Sequence, residues 1–179
     1  YNHQSILEYT LTTAIGTNGI TYFPNVTAAV IPIFRITQNI GLPVGGVFPT
    51  VINGVFEANG NVIFTAAGIK TFRNGIRGTG NIGESSSGLF IINGLTAELG
   101  GTGSLTVPTT GGLEIGSASG TTVTVSDNKV VTGNVSLINT NTFVDLGASN
   151  LTVSGNVTGG TSTSYIRTAN SGSLILNTV

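Results

Sequence analysis

An all-β parallel β-helix, a β-solenoid of roughly eight coils, is the architecture expected from three features of this chain. A phrase recurs at the length of one coil: Thr132-Gly133-Asn134-Val135 returns as Ser154-Gly155-Asn156-Val157, a spacing in the low twenties. Short β-prone runs follow one another with Gly, Asn or Ser between them, and no stretch reads as an amphipathic helix. Charged residues make up only 7% of the chain, and Gly, Thr, Ser and Asn take their place. An ordinary globular domain carries about 25% charge, so cohesion here has to come from main-chain pairing and apolar burial.

Along the chain, the span 1–56 holds most of the prolines: Pro24, Pro32, Pro43 and Pro49. Proline donates nothing to a strand ladder, so residues 1–56 are expected to be a less regular β region. Regular coils over 57–179 should continue it. Strand-like runs are LEYTL (7–11), NVIFT (61–65), LFII (89–92), LTAEL (95–99), TVTV (122–125), TFVDL (142–146), LTV (151–153) and SLIL (173–176). In LTAEL and TVTV the apolar residues alternate, as they do in a strand with one face buried.

The period extends beyond the first example. Gly60-Asn61-Val62 is answered by Gly80-Asn81-Ile82, and Leu151 by Leu174, again at about one coil length. A β-sandwich is the alternative, because it also yields many short strands, but a period in the low twenties favours the solenoid. Gly and Asn enter the left-handed region that a sharp corner requires. Stacked corners should bring Asn134 and Asn156 into a hydrogen-bonded ladder, with Val135 and Val157 forming an apolar column inside.

Function classes fall away in turn. A net charge of −1 gives no grip on a phosphate backbone, so no nucleic-acid partner is expected. Lys70, Arg73 and Arg77 are expected on a solvated surface, Lys70 and Arg73 on opposite faces of a strand. Zero Cys excludes disulfides and thiolate chemistry, and no apolar run approaches the ~20 residues of a membrane helix. There is no Met, so the chain is expected to be a processed or partial product. Gly78-Thr79-Gly80-Asn81-Ile82-Gly83 matches the dinucleotide fingerprint by letter, but a β-like run follows where a helix is needed. Gly100-Gly101-Thr102-Gly103 opens like a calcium nonapeptide, with Leu105 where the ligating Asp should stand. The serine-rich stretch 83–88 lacks nucleophile-elbow spacing, and the single His3 lies near a terminus. Glu98, Glu114, Asp127 and Asp145 read as solitary solvated carboxylates, Glu114 pointing outward between Leu113 and Ile115. No catalytic, cofactor or metal residue is therefore assigned, and the chain is expected not to be an enzyme. The alternatives are a β-helix polysaccharide-degrading enzyme, should Asp127, Asp145 and a basic residue share one groove, and a glycan-binding surface module.

Residues 148–176, ASNLTVSGNVTGGTSTSYIRTANSGSLIL, carry a family resemblance. Leu151-Thr152-Val153, Gly159-Gly160, Ser164-Tyr165-Ile166 with Thr168, and Gly172 with Leu174 resemble a line in very large secreted surface proteins of Bacteroidota. These include the repetitive gliding-type adhesins exported by the type IX system. LEYTLTTAIGTNGITYFPN (7–25) and NVIFTAAGIKTF (61–72) are similar to two further lines of those proteins. The resemblance implies an extracellular, cell-surface adhesin or structural protein without catalytic residues or cofactors. SILEYTL (5–11) and SLIL (173–176) are apolar, with Glu8 the only charge. Ile6, Leu7, Tyr9 and Leu11 near one end, and Leu174, Ile175 and Leu176 near the other, are thus the expected stacking edges. The expected partners are copies of the chain itself or neighbouring modules of a surface filament, with surface glycans as a further candidate.

Overall fold

The computed structural model describes residues 6–10, 33–42, 50–65, 67–84, 87–107 and 111–177, and these contain strands and no helix. The first strand is β1 (Ile6–Tyr9). A first full turn follows as β2 (Ile33–Ile36), β3 (Ile40–Leu42) and β4 (Val51–Ile52), and a second as β5 (Val55–Ala58), β6 (Val62–Phe64) and β7 (Gly68–Phe72). The third is β8 (Gly75–Arg77), β9 (Ile82–Glu84) and β10 (Gly88–Ile92), and the fourth β11 (Thr96–Leu99), β12 (Leu105–Thr106) and β13 (Leu113–Ile115). The fifth is β14 (Thr121–Thr124), β15 (Lys129–Thr132) and β16 (Val135–Leu137), and the sixth β17 (Thr142–Asp145), β18 (Leu151–Val153) and β19 (Val157–Thr158). A further layer begins with β20 (Ser164–Arg167) and β21 (Leu174–Leu176).

β1 pairs in parallel with β2, and from β2 onward every third strand pairs in parallel with its counterpart one turn away, giving three sheets among the described residues. Sheet I runs β1-β2-β5-β8-β11-β14-β17-β20, sheet II β3-β6-β9-β12-β15-β18-β21, and sheet III β4-β7-β10-β13-β16-β19. The expected β-solenoid is what the chain forms. It completes about six turns rather than eight. The register pairs Ile33–Val55, Phe56–Ile76, Ile76–Leu99, Ala97–Val123, Val123–Val144 and Val144–Ile166 show that the coils differ in length, the longest of them running from Ala97 to Val123. The interval from Ile6 to its partner Ile33 is longer still. Among the described residues six turns carry all three strands, while sheet I counts eight.

Strands β2–β4 lie inside the span 1–56 and stack in register on β5–β7; the prolines of that span lie outside the described residues. Inward positions alternate along each strand, as in Leu113-Glu114-Ile115, where both apolar neighbours are buried and Glu114 points out. The early turns fill the interior with Phe34, Phe56, Phe64, Phe72 and Phe90, with ring centroids 5.4–6.1 Å apart between neighbours. Later turns use Val, Leu and Ile. Each buried side chain of this size contributes roughly 1.5–3 kcal/mol, so the coil is held by one continuous apolar column. Val157 lies over Val135 in register, as the repeated phrase requires.

The corners explain the glycines. Gly80 sits against the carbonyl of Gly60, and Gly103 against that of Gly80, so a Cβ has no room at either place. The two glycine clusters at 78–83 and 100–103 are thus one corner repeated in successive turns.

Candidate functional site

Two asparagine columns stitch the corners. Between sheets I and II, Asn39 Oδ1 accepts the backbone N–H of Asn61 at 2.8 Å, and Asn61 Oδ1 that of Asn81 at 3.0 Å. Asn81 Oδ1 accepts from the Ser104 N–H at 3.0 Å. The same column resumes with Asn128 to Asn150 and Asn150 to Ser173. Asn134 and Asn156 belong to the other corner, between sheets II and III, where Asn156 N–H donates to Asn134 Oδ1 at 3.0 Å. Each of these rungs runs from a side-chain oxygen to a backbone N–H one turn away.

The outer face of sheet I carries an alternating ion ladder. Arg35 reaches Glu8 at 3.7 Å on one side and Glu57 at 2.6 Å on the other. Arg77 bonds Glu57 at 2.8 Å and Glu98 at 3.4 Å. Further along the sheet, Arg167 pairs with Asp145 at 3.4 Å and lies 5.0 Å over the Phe143 ring, which Tyr165 meets edge-on. These partners are one coil apart in sequence and one strand apart in space. The expectation of solitary carboxylates is thereby corrected for Glu98 and Asp145, whereas Arg77 lies on the outer face, as expected, but engaged with two carboxylates. Arg73 is exposed, as expected.

Environment sets the charge states along this ladder. Burial pushes the Glu57 carboxyl up, but hydrogen bonds from Arg35, Arg77 and Asn59 outweigh it and hold its pKa below the ordinary value. Burial pulls Arg77 down, and the Glu57 hydrogen bond and charge more than reverse this, raising its pKa. The Glu57 hydrogen bond is also the main cause that raises Arg35.

Beside the ladder, Ser126 Oγ donates to Glu98 Oε1 at 2.7 Å, and Asp127 Oδ2 accepts the Gly101 N–H at 2.8 Å. A shallow concavity of about 390 Å³ lies here, lined by Asn74, Thr96, Ala97, Glu98, Thr124 and Ser126. Nearby, Lys129 is buried and donates to the Gly100 carbonyl at 2.9 Å. Burial lowers its pKa to about 8, opposed by the charges of Asp127 and Glu98. Asp127 and Asp145 have different partners: one holds the Gly101 corner, the other pairs with Arg167.

Lys70 is a second correction. It faces inward beside Phe64 and forms an ion pair with Glu84, both side chains being buried. Its strand parity does oppose that of Arg73, but the face it occupies is the interior one.

Among the expected stacking edges, Ile6, Leu7 and Tyr9 lie in β1, the outermost strand of sheet I, and Leu11 falls outside the described residues. Leu174, Ile175 and Leu176 form β21, outermost in sheet II, and all three are exposed. Among the described residues no group of three or more His, Cys, Asp or Glu is placed to hold a metal ion. No described helix is long and apolar enough to cross a membrane. The class defined by this geometry is a three-sheet parallel β-solenoid. No protein-family model, curated protein or solved structure matches the chain.

Proposed function

We propose that this chain is an extracellular structural or adhesive β-solenoid of a bacterial surface, stacking end to end as a segment of a fibre, and not an enzyme. The observation that carries the reading is the contrast between flanks and ends. On the flank, carboxylates and guanidinium groups of sheet I neutralise one another within the chain. At the ends, among the described residues, β1 and β20 are the outer strands of sheet I, β19 of sheet III and β21 of sheet II. The core residues Leu7, Tyr9, Val157 and Ile166 there are only partly covered. An open strand edge over uncovered apolar surface is a template for another chain. The extracellular setting follows the resemblance of residues 148–176 to Bacteroidota surface proteins. The separate partners of Asp127 and Asp145 favour this reading over a polysaccharide-degrading enzyme, which needs convergent carboxylates.

Negative-stain microscopy and light scattering of the chain over a concentration series test the proposal. A regular fibre of solenoid width is the expected result. Monomers at high concentration, with the amides of β1 and β21 exchanging freely, would overturn it.

A further inference from the structure

The ion ladder of sheet I runs from Glu8 to Glu98, is interrupted at Thr124 on β14, and resumes with Asp145 and Arg167, so its outermost charges are opposite. The first, on β1, is Glu8, and the last, on β20, is Arg167. Among the described residues both strands are outermost in the same sheet, and they are of equal length. The terminal side chains are also the most exposed of these charges, 43% for Glu8 and 44% for Arg167, against 9% for Glu57 between them. We infer that two copies of this chain join head to tail through sheet I, with β20 of one copy pairing in parallel with β1 of the next and Arg167 lying opposite Glu8. The inference rests on the stacking reading above and specifies its partner, polarity and register.

Side-chain parity supports that register. Tyr165 and Arg167 point outward on β20, and Ile6 and Glu8 are the exposed positions of β1. With Arg167 opposite Glu8, Ile166 falls over Leu7, and both belong to the incompletely covered ends of the core. Tyr165 is then set against Leu7's neighbour, the exposed Ile6. A slip of one residue would turn every side chain to the wrong face. A slip of two would keep the faces but separate Arg167 from Glu8. The charge pair therefore selects one register among those that parity allows. A head-to-tail contact of this kind does not close on itself, so it generates an open filament.

Two charge reversals test this. Glu8→Arg places arginine at both junction positions, and Arg167→Glu places glutamate at both. Each variant alone should self-associate at least about tenfold more weakly than the original chain, because like charges then meet at every junction. An equimolar mixture should form alternating filaments through the junctions that again join an arginine to a glutamate on their facing strands, or at the least recover association that neither variant shows alone. Misfolding of either variant cannot produce that mutual rescue, and circular dichroism of each alone checks the fold. Sedimentation velocity and negative-stain images read the outcome. Filaments of each variant equal to those of the original chain, or a mixture no better than its components, would overturn the register while leaving stacking in place. An original chain that never self-associates would overturn stacking itself.

Discussion

Arg77 grips Glu57 through two nitrogens, Nε at 3.0 Å and Nη2 at 2.8 Å, both on the same carboxylate oxygen. The other oxygen takes Arg35 at 2.6 Å and Asn59 at 2.9 Å. One carboxylate thus ties three consecutive turns of sheet I together. Glu57→Ala leaves two guanidinium groups without their shared counterion and should cost about 2 kcal/mol, between an exposed and a buried ion pair. Chemical unfolding of the variant against the original chain measures it; an unchanged midpoint would mean that the ladder contributes nothing.

Glu57 also predicts an acid dependence. Its folded-state pKa lies below the ordinary value of 4.5, so the unfolded chain binds the proton more readily. The stabilisation is complete above 4.5 and is lost as pH falls through the folded-state value. Melting temperatures of the original chain should therefore drop as pH is lowered below 4.5, and Glu57→Gln should flatten that part of the curve. Identical slopes in the two proteins would assign the acid sensitivity elsewhere.

Lys129 predicts the opposite limb. Burial brings its pKa from 10.5 down to about 8, so between those values the unfolded chain holds more protons than the folded one. Stability should rise with pH across that window, by roughly 3 kcal/mol in total, as the cost of burying the ammonium disappears. Urea midpoints taken in steps from neutral to alkaline pH would show the rise in the original chain and its absence in Lys129→Met. A fall over the same range would contradict the burial argument.

The winding was legible because corners are local: Gly-Asn-Val and Gly-Asn-Ile each state a turn in one short phrase. Register was legible for the same reason, as Val135 over Val157 and Leu151 over Leu174 show. The ion ladder does not show in local sequence, although its signal stands in the sequence as a whole. Arg35, Glu57, Arg77 and Glu98 alternate in sign at the coil period itself. Judging each charge by its sequence neighbours hides partners that lie one strand away. Asn53-Gly54, Asn74-Gly75 and Asn93-Gly94 similarly mark the corner from sheet III to sheet I in three successive turns. Lys70 departs from the expectation because a charged side chain argues for water, and only the position of Glu84 across the corner reverses that argument.

Gly80 and Gly83 are close in sequence and should respond differently to the same change. A Cβ at Gly80 runs into the carbonyl of Gly60, which is main chain and has little freedom to retreat. At Gly83 the nearest atom is Thr106 Cβ, 4.0 Å away, an ordinary contact. Gly80→Ala should therefore destabilise the coil by about 2 kcal/mol or more, as overpacking does. Gly83→Ala should be neutral or slightly stabilising, since glycine weakens a strand interior. Thermal melts of the two variants would separate a packed corner from a merely flexible one; equal losses would count against close stacking of the turns.

The Lys70–Glu84 pair allows a test of what a buried ion pair contributes. Lys70 lies on β7 and Glu84 on β9, so the bridge crosses from the second turn to the third beside the Phe64 ring. Removing one partner leaves a charge in the apolar interior, and Glu84→Ala or Lys70→Ala should each cost about 3–5 kcal/mol. Replacing both together, as in Lys70→Met with Glu84→Leu, removes the stranded charge and should recover most of that loss. Unfolding free energies of the two singles, the apolar double and the double alanine variant close the comparison. Single losses that simply add in the double alanine variant would mean that the two side chains act independently, and the inward position of Lys70 would then need another explanation.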